Sequence, residues 1–150
     1  QVCDGSLPDG SRINVILPPL VVNGPVVTIR RKLREWTMTE YVQTLALNQQ
    51  AAEFLEACVK AKVNCVISGG TSTGKTTLVG ALSAFIPSDQ RVITIETEAE
   101  LNLPTHEHWV RLGGRPPNVE GRGEISVRML MKNAHRQSPR SIRRCPAQRP

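Results

Sequence analysis

The sequence has few aromatic residues and no long apolar run. Only 3% of its 150 residues are Phe, Trp or Tyr, too few for the stacking surface on which proteins bind single-stranded nucleic acids. The apolar runs reach about six residues, far below the roughly 20 that a membrane-spanning helix requires. We therefore expect neither a base-stacking surface nor a transmembrane segment.

Closely spaced cysteines are also missing. The four cysteines, Cys3, Cys58, Cys65 and Cys145, include no C-x-x-C pair. This spacing argues against a zinc knuckle and a disulfide framework, and it favours the reducing cytoplasm. The chain begins at Gln1 without an initiator Met or a charged and then apolar leader, so we take it for a fragment without a secretory signal.

Acidic residues are absent from the C-terminal end. Four of the 19 lysines and arginines lie beyond Gln137, where there is no Asp or Glu, and the rest of the chain carries 15 basic against 13 acidic side chains. The net charge of +6 is therefore mostly a property of this tail. We do not expect direct, sequence-specific binding of nucleic acid.

The first 34 residues are rich in Val and Ile and are divided by turn signals. Asp9-Gly10 and Asn23-Gly24-Pro25 separate three such runs, a pattern that predicts a three-stranded meander. We assign residues 1–34 to the end of an N-terminal β-rich domain. Residues 35–48 are mostly polar, and we predict a linker there with a short helix behind a Thr cap.

The middle of the chain alternates between helix and strand patterns. An amphipathic helix is predicted from apolar residues spaced by three and four, namely Ala52, Leu55, Cys58 and Val59. We then predict a buried strand over Val63 to Ile67, a helix over "KTTLVGALSAFI" ended by Pro87, and a buried strand over "RVITIE". A strand, helix and strand in this order are typical of a parallel sheet covered by helices, so the predicted class is α/β.

The chain is rich in turns beyond Leu103. We predict a strand over "WVRL", a loop over "GGRPPNVEGRGE" and a helix that begins near Ser126. The apolar stripe of this helix consists of Val127, Leu130, Met131 and Ala134. We expect residues 49–138 to form a partial nucleotide-binding domain, for the reason that follows.

The stretch "SGGTSTGKTT" contains the Walker A pattern G-x-x-x-x-G-K-[ST] between a predicted strand and a predicted helix. Glycines let the backbone curl around phosphates so that its N–H groups point inward, and the helix that follows adds the positive end of its dipole. The motif therefore predicts binding of ATP with Mg²⁺. The alternative is a glycine-rich turn with a solvated lysine. The predicted binding residues of the loop are Gly69, Gly70, Thr71, Ser72, Thr73, Gly74, Lys75, Thr76 and Thr77.

These residues have separate expected roles. Lys75 would contact the β- and γ-phosphates and take part in catalysis, the Thr76 hydroxyl would hold Mg²⁺, and Thr77 would lie near the α-phosphate.

Five segments in order resemble the ATPases of bacterial type II/type IV secretion, most closely the branch that serves tight-adherence pilus assembly and conjugal transfer. They are "LPDGSRINVILPPL", "GPVVTIRR", "NCVISGGTSTGKTTLVGALSAFIP", "RVITIETEAEL" and "VRLGGRPPNVEGRGEISVR". The resemblance implies a RecA-like domain of the phosphate-loop class behind a smaller N-terminal domain. It also implies six identical subunits in a ring, cytoplasmic and peripheral to the inner membrane, that drive a secretion or pilus machine.

The same resemblance identifies an acidic box, Thr94 to Leu101, similar to the family pattern T-I-E-D-x-x-E-L. Glu96 would position the attacking water or hold Mg²⁺, directly or through water; the alternative is a solvated side chain at a strand end. Thr97 stands where the family has Asp, and a hydroxyl cannot supply that negative charge. Arginines that the family has near nucleotide or a neighbouring subunit correspond to Arg30, Arg31, Arg111 and Arg115, for which surface ion pairs are the alternative.

The three histidines do not form a zinc-binding pattern. His106 and His108 lie in a turn-rich segment without Cys or carboxylate at zinc spacing, and we expect these two and His135 to be solvated.

The resemblance ends where the family continues into an apolar strand ending in Gly-Glu, its Walker B. Here the text becomes "RSIRRCPAQRP", with three prolines from Pro139 to Pro150. We therefore expect a disordered basic tail over 139–150, no central strand, and an incomplete sheet. A shifted reading frame or truncation would explain the change; a natural tail that touches phospholipid or nucleic acid is the alternative.

The predicted function is that of an ATP-binding motor subunit that hydrolyses ATP, with turnover weak or absent in this chain because Walker B is missing. One alternative is a nucleotide-binding remnant without turnover. The other is a small phosphate-loop kinase, which the N-terminal meander fits poorly. The sequence does not identify the cargo.

Overall fold

The computed structural model describes residues 1–31, 34–97, 99–118, 120–137 and 141–144. The chain divides into two compact units, Gln1–Arg34 and Glu35–Pro150. No helix in the described part of the chain is both long and apolar enough to cross a bilayer.

The first unit is an antiparallel sheet of three strands in the order β1-β2-β3. The strands are β1 (Val2–Ser6), β2 (Arg12–Ile16) and β3 (Val26–Arg30), which confirms the predicted meander. Gly10 and Gly24 adopt positive φ angles of 81° and 100° in the two connections, as tight turns often require. None of the apolar side chains described in this unit is buried.

The second unit begins with two helices, α1 (Met38–Gln43) and α2 (Gln49–Lys60). Thr37 caps α1 and Asn48 caps α2 through side-chain oxygens that accept backbone N–H groups. The prediction of a linker over residues 35–48 needs correction, because Met38 is only 9% exposed and belongs to the hydrophobic core. The packing of Met38 stabilises this short helix, and the mostly polar residues around Met38 gave no sign of it in the sequence.

Two further helices are α3 (Lys75–Ser83) and α4 (Val127–Ala134), and a 3-10 turn from His135 to Gln137 follows α4. The prediction extended α3 to Ile86, but the chain tightens after Ser83 into hydrogen bonds between residues three apart. Ser126 caps α4 through its hydroxyl, which accepts the Met129 N–H group, so the predicted start of this helix is confirmed.

The second sheet is parallel and has the order β5-β4-β6. Its strands are β4 (Val92–Glu96), β5 (Trp109–Gly113) and β6 (Ser141–Arg144). Ile93 and Ile95 of β4 pack with the apolar residues of α4, whereas Val92 joins the cluster formed with α1, α2 and α3. Because helices cover both faces of a parallel sheet, the predicted α/β class is confirmed.

Two strand predictions are wrong. Val63 to Ile67 forms no strand, and Val63 and Val66 are 53% and 93% exposed. Conversely, β6 lies inside the predicted tail and pairs with β4, with Ile142 opposite Ile93. Pro139 and Pro146 flank these four residues instead of interrupting them, so the backbone N–H groups that a strand requires are retained. Residues 139, 140 and 145–150 lie outside the described part.

Candidate nucleotide-binding site

The Walker A loop joins an extended segment that ends at Ile67 to the first residue of α3, Lys75. Gly74 precedes the helix with φ at 85°, a left-handed conformation that favours glycine. At Gly69, an added Cβ would lie 2.8 Å from Oγ1 of Thr73, so a larger residue would push this hydroxyl away from its hydrogen bond with the Gly70 carbonyl oxygen. The shape of the loop therefore favours glycine at both positions.

The amino end of α3 is open toward this loop. No side chain among the described residues caps the helix at Gly74, in contrast to the capped starts of α1, α2 and α4. The first N–H groups of a helix carry a partial positive charge and need acceptors. An anion placed in the loop can supply those acceptors.

Gly70 organises two side chains of the loop through its carbonyl oxygen. Thr73 donates its hydroxyl proton to this oxygen over 2.8 Å, and the ammonium group of Lys75 donates to the same oxygen. An ammonium group has three protons. Lys75 can therefore keep this contact and still donate to phosphate oxygens.

A cavity of about 230 Å³ adjoins the loop. This volume is below the roughly 300–1,000 Å³ of a complete small-molecule site, so the surrounding residues would enclose only part of a nucleotide. Residues 68–73 are all exposed. A triphosphate can therefore reach this part of the loop. The lining residues are Tyr41, Ile67, Ser68, Gly69, Thr73, Gly74, Lys75 and Leu78.

Glu96 ends β4 and is 2% exposed, which differs from a solvated side chain at a strand end. Its Oε2 atom accepts the backbone N–H groups of Glu100 and Leu101, both over 2.9 Å. The carboxylate thus holds the turn that follows β4. It is not part of the cavity lining, and its role in catalysis or metal binding stays a prediction; Glu98 of the acidic box lies outside the described residues.

The four predicted arginines lie in different surroundings. Arg111 donates to the carbonyl oxygen of Leu101 over 3.1 Å, and its guanidinium group lies 4.7 Å from the centroid of the Trp109 ring. Arg115 donates to the carbonyl oxygen of Gly123 from Nε and Nη2. These contacts orient loops, and neither arginine lines the cavity.

Arg30 and Arg31 are exposed and belong to the first unit, at the end of β3. Their predicted contact with nucleotide or a neighbouring subunit stays a prediction.

The prediction that all three histidines are solvated is wrong for His106. This residue is 6% exposed, and its Nδ1 atom lies 3.3 Å from the hydroxyl oxygen of Thr105. Its Nε2 atom is buried without a hydrogen-bond partner in the described part of the chain. His108 and His135 are exposed. The described residues contain no group of three or more His, Cys, Asp or Glu side chains that could hold a metal ion.

Sequence reasoning missed Tyr41 as a lining residue of the cavity. Tyr41 lies 26 positions before Ile67, the residue at which the extended segment before the loop ends. Only the packing of α1 brings Tyr41 to the cavity. One signal was available, because Tyr41 is the single tyrosine of the chain and follows the Thr and Glu of a capping box.

Comparison with known proteins identifies relatives of this chain. A family model described as "Type II/IV secretion system protein" matches residues 1–142. "Protein VirB11" of Agrobacterium fabrum is 32% identical over 94% of this chain and 48% of its own length. "Type IV secretion system protein PtlH" of Bordetella pertussis is 35% identical over 91% of this chain and 47% of its own length.

A solved structure resembles the fold. It is that of the VirB11 ATPase from the Brucella suis type IV secretion system in complex with sulphate, which matches with a TM-score of 0.57 and 30% identity over 98% of this chain and 50% of that chain. The chain thus spans about half the length, or less, of the relatives it matches. The family model covers nearly all of the 150 residues, and the fold agrees with a family member of known structure. The chain therefore belongs to the type II/IV secretion system protein family.

Proposed function

We propose that this chain is the nucleotide-binding part of an ATPase motor subunit that serves a secretion, pilus-assembly or conjugal-transfer machine. The observation that carries the proposal is the loop of Gly69 to Thr77 at the uncapped amino end of α3, beside a cavity that Lys75 lines. Glycine conformations, a helix start without a side-chain cap and an ammonium group are together the features that bind a triphosphate.

The proposed reaction is attack of water on the γ-phosphate of ATP, which releases ADP and phosphate. Lys75 would bind phosphate oxygens and stabilise the charge that develops on them. The hydroxyl of Thr76 and the carboxylate of Glu96 are hard oxygen ligands of the kind that Mg²⁺ prefers. When bound, Mg²⁺ neutralises charge on the β- and γ-phosphates.

We expect binding to exceed turnover in this chain. The resemblance to the family implies a Walker B strand ending in Gly-Glu in this part of the chain, whereas β6 reads "SIRR" and is followed by Cys145 and Pro146. Without an acid at that position, the attacking water lacks one group to orient it. The proposed setting is a ring of six subunits in the cytoplasm, peripheral to the inner membrane.

The test is a calorimetric titration of the 150-residue chain with MgATP, which measures its affinity. We expect Lys75→Ala to abolish measurable binding, because the variant loses the only side-chain cation among the residues described around the cavity. Lys132→Ala is the matched control, since it removes the same charge from the exposed side of α4. Equal affinity of Lys75→Ala and the unaltered chain would refute the proposed site.

Phosphate release from the same sample separates the three candidate functions. Binding without release favours the nucleotide-binding remnant, and release without an added acceptor favours the motor. Loss of ATP that depends on an added acceptor favours the kinase.

A further inference from the structure

The cavity beside the phosphate loop has walls of two kinds. One wall is formed by polar and backbone atoms of the loop, and the other by three apolar side chains from separate segments: Tyr41 of α1, Ile67 before the loop and Leu78 of α3. A phosphate needs only the first wall. The second wall suits a flat, weakly polar group joined to an anion.

The position of Tyr41 is fixed by its own helix. The Thr37 hydroxyl accepts the Glu40 N–H group over 3.2 Å, and the Glu40 carboxylate accepts the Thr37 N–H group over 2.8 Å. Met38, in the same turn, is buried in the core. These contacts anchor α1, although a helix of six residues would be unstable alone.

The ring of Tyr41 is partly desolvated and lies next to a second aromatic ring. Its centroid is 5.4 Å from that of Trp36, at an interplanar angle of 58°. Burial raises the pKa of the Tyr41 phenol above its ordinary value, because the charged phenolate loses hydration. The side chain also packs against the core cluster that contains Met38. A ring held in this way can stack with little loss of conformational freedom.

We propose that Tyr41 forms the nucleoside subsite of this chain, with its ring against the base of a nucleotide whose phosphates lie in the loop. This inference rests on the proposed function, since it requires phosphate at Lys75. A nucleotide is the ligand class that joins a polyanion to a flat base. Stacking on an aromatic ring serves any base, because each base has a π face.

The first experiment compares two probes, MgATP and inorganic tripolyphosphate with Mg²⁺. We expect Tyr41→Ala to weaken binding of MgATP about tenfold, the scale of losing one base–aromatic contact, and to leave tripolyphosphate affinity unchanged. Tyr41→Phe keeps the ring and should bind MgATP as the unaltered chain does. Phe54→Ala is the matched control, because Phe54 is 69% exposed on α2 and is not part of the cavity lining.

The outcomes separate this proposal from the proposed function. Unchanged MgATP affinity in Tyr41→Ala would overturn the subsite, and so would an equal loss for both probes, which would mean that Tyr41 only supports the loop. If the unaltered chain binds tripolyphosphate but gains nothing from the nucleoside, the subsite fails and the phosphate site stands. If it binds neither probe, the proposed function itself fails.

A spectroscopic measurement on the unaltered chain tests the subsite without any substitution, so it does not require a variant to fold. Tyr41 is the single tyrosine, so the phenolate absorbance in an alkaline titration reports on this residue alone. Both polyanions should raise the pH of its ionisation, because negative charge in the cavity disfavours the phenolate. Saturating MgATP should raise it further than saturating tripolyphosphate does, since a stacked base also removes water from the ring. An identical ionisation with the two probes would contradict the subsite.

Discussion

Two segments of the second unit, Val63–Ile67 and β4, are similar in composition, but only β4 forms a strand. In β4 the five residues are all buried, and β5 and β6 pair with it on its two sides. In Val63–Ile67 only Ile67 packs against the core, while Val66 is 93% exposed. An apolar run therefore becomes a strand here only where a neighbouring strand pairs with its backbone groups.

The contrast also bears on the phosphate loop. Val63 donates its backbone N–H to the carbonyl oxygen of Cys58 over 2.9 Å, which ends α2 and starts the segment. From there to Ile67 the segment has no ladder partner among the described residues. The carboxyl side of the loop is held by α3, whereas its amino side is held chiefly by the packing of Ile67.

The largest effect is expected from a matched pair of Val→Ala substitutions, one in each segment. Val92→Ala should lower the free energy of unfolding by about 2 kcal/mol, because it removes buried methyl groups and leaves a cavity. Val66→Ala should change it by less than about 0.5 kcal/mol, since its side chain is exposed. Denaturant unfolding measures both values. Similar values for the two variants would mean that Val63–Ile67 is as well packed as β4.

A smaller effect is expected at the end of β4. Glu96→Ala removes the acceptor of two backbone N–H groups, and we expect a loss of about 1 kcal/mol, since the desolvation cost of the buried carboxylate is removed as well. Glu96→Gln keeps an acceptor oxygen and should be closer to the unaltered chain. Unfolding curves of the two variants test the anchoring role.

Phosphate release by Glu96→Gln would test the catalytic prediction separately. A variant that retains full stability and binds MgATP normally, yet loses residual turnover, would place Glu96 in the reaction. Unchanged turnover would leave it only an anchor of the turn after β4.

The smallest effect is expected in the turn between β1 and β2, where local hydrogen bonds operate without a core. The Ser11 N–H group and the Ser11 hydroxyl both donate to the Asp9 carboxylate. These hydrogen bonds, the backbone one most of all, lower the pKa of this carboxyl below its ordinary value of 3.8. Because the pKa of Asp9 is lower in the folded chain than in the unfolded chain, its carboxylate stabilises the fold at pH values above the unfolded-state pKa. This contribution is lost as the pH falls through the folded-state pKa. In Ser11→Ala the pKa of Asp9 should rise toward 3.8 without reaching it, because the backbone donor remains; NMR titration measures the change.

The sequence was sufficient for features that depend on neighbouring residues. The Thr cap of α1, the start of α4 near Ser126, the apolar stripes of α2 and α4, and the glycine turns of the meander follow from local spacing, because helix and turn patterns extend over a few residues. The Walker A motif predicted the loop for the same reason.

Tertiary structure decided what depends on distant partners. The run Val63–Ile67 and the four residues of β6 were both misjudged, since strand pairing joins segments far apart in the chain. The engagement of Glu96 by the turn after β4, the burial of His106 and the placement of Tyr41 at the phosphate cavity likewise became visible only in the folded chain. Sequence determined the chemistry of the loop, and packing across the chain determined which side chains can act beside it.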